Sequence, residues 1–247
     1  MVKKAFKKLN LLYRRMMKSN DKNIYFSLGE NCLTDDILER FGLKSFSSPY
    51  SSGRSNIEYI LAFERESFAD LLEPAFLRYE EAKDGKRVVR NKKYVDVKNK
   101  YHTLCTNGFE FTHHDPLKKK DHAATMKRRY ERLLNLKNKN VFMLYHHRMH
   151  SDTDEKMLEA DLQSLAEIYE ERDNNVFLYV FYQEIVEDPA ARRIERKERC
   201  IKKDRLYLIT YKFYTIHEWA GTDQDIFWAR SDDDLLKEMI DDMRSRG

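Results

Sequence analysis

Four short runs of apolar residues limit the fold of this chain more than any other feature. They are Ile24-Tyr25-Phe26-Ser27-Leu28, Val141-Phe142-Met143-Leu144-Tyr145, residues 176–181 and Leu206-Tyr207-Leu208-Ile209-Thr210-Tyr211. None alternates polar with apolar residues, as a strand with one wet face would. Each is too short for a buried helix, and stretches with helical periodicity lie between them. Strands buried on both faces and separated by helices build a parallel sheet. The sequence therefore predicts a three-layer α/β fold, a mostly parallel central sheet with helices on both faces. Such sheets bind ligands beyond the carboxyl ends of their strands. Cys32, His146, His147, Arg148, Gln183 and Glu184 all fall at those ends.

The first run leads into Gly29-Glu30-Asn31-Cys32 and then an amphipathic stretch from Leu33 to Phe41. This reads as strand, glycine turn and helix, with a cysteine in the first helical turn. Backbone N–H groups there lack helical partners, and the helix dipole favours negative charge. A thiol so placed is shifted toward the thiolate. The plainer reading is a cysteine packed as a small apolar residue. A second informative stretch is His113-His114-Asp115 ahead of Pro116, which holds the preceding residue extended. A histidine beside a carboxylate suits a general base, and a solvated polar turn is the competing reading. Residues 123–136 follow as a helix with Met126, Tyr130 and Leu133 inward and Arg128, Arg129 and Arg132 on its flank. Arg129 is suited to holding an anion bidentately. The serine-rich loop 45–56 should hang over the end of the first strand, its hydroxyls solvated or, with Arg54, in contact with a polar or anionic substrate.

Composition narrows the partners. Seven of the eight histidines lie between positions 102 and 150, yet no pair sits on a defined helix at the i, i+4 spacing of a zinc helix, so neither a metal nor a cofactor is expected. Cysteines at 32, 105 and 200 form no metal spacing and cannot all pair, which fits a reducing, cytoplasmic compartment. A net charge of +4 gives no reason to expect nucleic acid. Residues 1–20 carry seven lysines and arginines and no acid, with Val2, Phe6, Leu9, Tyr13 and Met16 on one stripe. This predicts a basic amphipathic helix, suited to an anionic membrane surface at the inner face or to docking on its own domain. Residues 21–247 read as one α/β domain with an irregular basic insert at about 80–106 that contains short strands at Val88-Val89 and Tyr94-Val95. Further local expectations are a helix over 57–79 interrupted at Pro74 and a basic helix over 190–203 with a structural Cys200. Capping boxes are expected at Ser151/Asp154 and Ser231/Asp234.

Ser27-Leu28-Gly29 with Cys32, then Leu38, Gly42-Leu43, Ser47 and Pro49, resembles the opening block of a family described as papain-like cysteine peptidases. Phe111, His114 and Asp115 followed by Arg129 resemble its second block. Where that family has Pro-Phe-Asp-Trp, this chain has Pro49-Tyr50-Ser51-Ser52, without the acid and the indole. The resemblance implies a cysteine enzyme. Papain itself pairs a helical half with an antiparallel barrel, and the strand pattern here argues against that architecture.

The sharpest reading makes Cys32 the nucleophile of a cysteine-dependent hydrolase or acyl transferase. His114 is its base, with His147 the rival, and Asp115 orients the imidazole. The amides after Gly29, with Asn31, would serve a developing oxyanion. Arg54, Arg129, Arg148 and Glu184 complete a site for a polar or anionic small molecule or glycan. One alternative is a membrane-associated transferase using a nucleotide sugar in envelope polysaccharide synthesis. Another is a binding module without catalysis.

Overall fold

All four apolar runs become strands, and they pair in parallel. In chain order the strands of the main sheet are β1 (Asn23–Leu28), β5 (Asn140–His146), β6 (Asn175–Ile185), β7 (Arg193–Lys202) and β8 (Leu206–Thr215). Their spatial order is β1-β5-β6-β8-β7, with only β7 antiparallel. A smaller antiparallel sheet contains β2 (Leu77–Glu81), β3 (Arg87–Asn91) and β4 (Phe109–Phe111). The helices are α1 (Leu33–Arg40), α2 (Ile57–Arg65), α3 (Lys120–Leu134), α4 (Glu155–Glu170) and α5 (Asp233–Ser245). This is a computed structural model, and it describes residues 22–81, 85–93, 108–149, 151, 153–219 and 229–247.

Because successive side chains on a strand point to opposite faces, the sheet buries two cores. Phe26, Met143, Leu178 and Leu208 pack under α2, α3 and α4. Phe142, Leu144, Tyr179 and Ile209 pack under α1 and α5. On the second face a row of register partners, Tyr25, Phe142, Phe177 and Tyr207, stacks across four strands with centroids 4.5, 4.7 and 5.3 Å apart. Such aromatic pairs each add about 1 kcal/mol beyond area burial, so the row reinforces the parallel register.

Several local expectations are corrected. Residues 190–203 form no helix. They enter a short 3-10 turn at Pro189–Ala191 and then β7, which pairs with β8 along its length. Dense charge resembled a solvated helix, but tertiary pairing overrides propensity on an edge strand. Cys200 is exposed there rather than structural. The helix expected over 57–79 ends at Arg65, where Ser67 and Phe68 adopt positive φ, and a 3-10 turn at Pro74–Phe76 then feeds β2. Asp154 alone caps α4, accepting from the amides of Lys156 and Met157. Asp232 occupies the N-cap of α5, but its carboxylate accepts from Arg192 and Trp219 and caps no helix amide. The insert is less irregular than expected, since Leu77, Val89, Phe109 and Phe111 enter the same core as α2. Tyr94-Val95 and the helix expected over 1–20 lie outside the described residues.

The serine-rich loop is also not a solvated one. It runs beside the free edge of β1, where Ser45 N donates to Tyr25 O at 2.9 Å and Ser48 Oγ to Ser27 O at 2.7 Å. A 3-10 turn at Pro49–Ser52 follows, closed by a capping box between Ser48 and Ser51. Ser27 Oγ lies 2.9 Å from Ser51 Oγ and donates to Asp35 at 2.9 Å, so strand, loop and α1 are tied by buried hydroxyls.

Beneath this loop, between α2 and α4, Glu64 is 2% exposed and accepts from the Tyr169 hydroxyl at 2.5 Å. Tyr50 OH is 3.4 Å away and Arg172 3.7 Å. Burial outweighs these contacts and lifts its carboxyl to about 7. A raised acid binds more protons folded than unfolded, so its contribution is full below about pH 4.5 and is lost as pH rises toward 7. The expected loss between pH 4.5 and 8 is about 3 kcal/mol. Denaturant titrations at both pH values should show it, and Glu64→Gln should flatten that dependence.

Candidate active site

The junction after β1 is shaped by Gly29. A Cβ there would meet the Asn31 carbonyl oxygen at 2.3 Å, so the chain can fold back this tightly only at glycine. Asn31 Oδ1 then accepts from Leu33 N at 3.0 Å, and Thr34 Oγ1 donates to Leu28 O at 2.9 Å, fixing where α1 starts. Cys32 occupies the N-cap of α1 and is partly exposed, with Asp35 and Asp36 in the first turn.

The same turn carries Glu30 inward. Its carboxylate is 0% exposed and lies at the end of β5. His147 Nδ1 is 3.0 Å from Oε1, while the Arg148 Nε and backbone N–H reach Oε2 at 3.0 and 3.2 Å. Tyr145 OH donates to Oε1 at 3.2 Å. His147 is itself 0% exposed, its backbone N–H donating to Phe181 O and its Nε2 3.5 Å from Thr153 Oγ1. An ionised carboxylate at this depth is held only when its oxygens are paired. Three hydrogen bonds from Tyr145 and Arg148, with the His147 ring at ion-pair distance, meet that requirement. The result is a histidine oriented by a carboxylate that stands two residues before Cys32.

His114 has a different setting. It follows β4, its Nδ1 is buried without a hydrogen-bond partner, and burial with the nearby Arg129 depresses its pKa to about 4. Asp115 does not orient it. The Asp115 carboxylate accepts from Tyr79 OH at 3.1 Å and from Lys118 N at 2.9 Å, while its own amide donates to His122 Nδ1. Arg129 reaches back to the serine loop, 3.4 Å from Ser48 O and 3.3 Å from Ser52 Oγ. His114 and Arg129 are thus neighbours, and both face the loop side of β1.

The other expected binding residues are placed as follows. Arg148 holds Glu30. Arg54 forms an isolated bridge with Glu110, its Nε 3.7 Å from that buried carboxylate. Gln183 is taken up by Thr215, His217 and the amide of Trp219. His146 is buried against Phe181, and burial lowers its pKa to about 3. Glu184 pairs with Lys212 on the floor of a cleft of about 410 Å³. Met149, two residues beyond His147, lines the same cleft together with Tyr182 and Lys197. Among the described residues, no group of three or more His, Cys, Asp or Glu could hold a metal ion. No described helix is long and apolar enough to cross a membrane. Glu30 is the residue that sequence reasoning passed over. Its one signal was a charged side chain inside a turn otherwise built from small and polar residues.

The described residues thus combine an α/β sheet, a cysteine at a strand–turn–helix junction and a buried Glu–His pair that joins that turn to the end of β5. The family model described as "Putative papain-like cysteine peptidase (DUF1796)" matches residues 23–204, and the chain belongs to that family. At a coarse level, this membership supports a cysteine-dependent hydrolase. The transferase, membrane and polysaccharide readings gain no support from it. Comparison with curated proteins and with solved structures returns no match.

Gly29→Ala should distort the turn, lowering stability by about 1–3 kcal/mol and changing the alkylation rate of Cys32. Denaturation and thiol labelling measure the two effects. A variant with wild-type stability and wild-type labelling would contradict the close approach.

Proposed function

We propose that this chain is a cysteine hydrolase in which Cys32 is the nucleophile, His147 the general base and Glu30 the residue that positions the imidazole. The observation that carries this reading is the wholly buried carboxylate 3.0 Å from His147 Nδ1, which leaves Nε2 as the nitrogen for proton transfer. His114 fits the role less well, because it has no carboxylate partner among the described residues and its depressed pKa makes it a weak base.

In this mechanism His147 takes the Cys32 proton as the thiolate attacks a carbonyl carbon. The positive end of α1 favours both the thiolate and the oxyanion that forms. His147 then gives the proton to the leaving group, and a thioester to Cys32 remains. Water attacks the thioester with His147 again as base, releasing the acid and the free thiol. The cleft that begins at Met149 contains Lys197, Lys212, Glu184 and Tyr182, and so suits a polar substrate.

The test is the pH dependence of iodoacetamide alkylation at Cys32. The native midpoint should lie below the reference of about 8.5. His147→Ala should move it back toward that reference, Glu30→Gln should move it part of the way, and His114→Ala should leave it in place. Hydrolytic activity should fall about 10²–10⁴-fold in His147→Ala and vanish in Cys32→Ser. A midpoint unaffected by His147→Ala would remove the assignment.

A further inference from the structure

The two edges of the five-stranded sheet differ. The serine loop covers β1, whereas the outer edge of β7 has no strand partner among the described residues. An open edge ten residues long is a template for pairing with another chain. Proteins blunt such edges with charge, and β7 is charged, but its charges have an order that simple protection does not need.

We propose that β7 pairs antiparallel with β7 of a second copy of this chain, about a two-fold axis through Lys197. Opposed residues in an antiparallel pair point to the same face, so a two-fold axis normal to the sheet must pass through a residue position. With the axis at Lys197, Arg196 faces Glu198 of the second copy, Glu195 faces Arg199 and Ile194 faces Cys200, and each pair occurs twice. An axis at Arg196 instead opposes Arg193 to Arg199 and puts Ile194 against Glu198. An axis at Glu198 opposes Lys197 to Arg199, and one at Arg199 opposes Arg196 to Lys202. The Lys197 register alone matches every Glu in the strand with an Arg. Cross-strand pairs of opposite charge stabilise a sheet, and like charges destabilise it.

Contacts within the subunit already hold these side chains in place. Arg196 pairs with Glu198 and Asp242, Glu198 with Arg246, and Arg199 with Glu159. The one like-charged contact is Lys197 with its own copy. Lys197 and Glu195 line the 410 Å³ cleft, where solvent reaches them. Dimerisation would therefore place Arg199 of the second copy at the border of that cleft and join two sheets into one.

Sedimentation velocity on the full chain across a concentration series should show a monomer–dimer equilibrium. Glu195→Arg should weaken it about tenfold or more, since it opposes two Arg–Arg pairs. Glu195→Arg combined with Arg199→Glu should restore it, which loss of folding would not do. Mild oxidation should link Ile194→Cys to Cys200, and Lys197→Cys to itself in a Cys200→Ser background. These positions are three apart, so one of them falls on the closer, non-hydrogen-bonded type of pair that suits a disulfide. A monomer at all concentrations would overturn the proposal. So would a dimer indifferent to Glu195→Arg, or one that cross-links through Glu195→Cys instead.

Discussion

The buried carboxylate of Glu30 is the contact on which the arrangement of the candidate site depends. Removing a charge from water costs several kcal/mol unless its oxygens are paired. Here Arg148, His147 and Tyr145 supply those partners from the end of β5. The carboxylate sits in the turn that follows β1, so the same contacts join the two strand ends. They also fix His147 relative to α1 and therefore relative to Cys32. Breaking such a pair from one side leaves a buried charge, at a cost of about 3–5 kcal/mol. The residues that hold the site together are accordingly also residues that hold the fold together.

Around that contact the molecule separates two polar clusters. On one side of β1 the serine loop, Asp35 and Arg129 form a hydroxyl network that closes the sheet edge. His114 belongs to this side, where burial and the Arg129 charge both disfavour its protonated form. On the other side, at the end of β5, a carboxylate stands against His147 and the cleft opens toward β6 and β8. Ser51 is absorbed into the hydroxyl network, so this chain has no carboxylate at that position of the loop.

The readable parts of the sequence were those set by local physics. Strands buried on both faces show as unbroken apolar runs, and the glycine turn with its following helix shows in residue order alone. Three features were not legible, each for a long-range reason. Glu30 looked like an ordinary turn charge because its partner Arg148 lies 118 residues away. The segment that became β7 has the composition of an exposed helix, and only the free edge of β8 selects a strand. The serines of the loop looked solvated because nothing local reveals that they lie against β1.

The sequence by itself determined the class of fold, the position of the cysteine at a strand–helix junction and the short set of histidines that could serve it. These follow from apolar periodicity, glycine geometry and helix polarity, which act over a few residues. Tertiary structure decided which histidine has a carboxylate partner, which arginines are taken up by protein contacts and which sheet edge has no strand partner among the described residues. Those outcomes turn on burial and on distances between groups remote in the chain. A carboxylate becomes a strong orienting partner only once folding has removed its water.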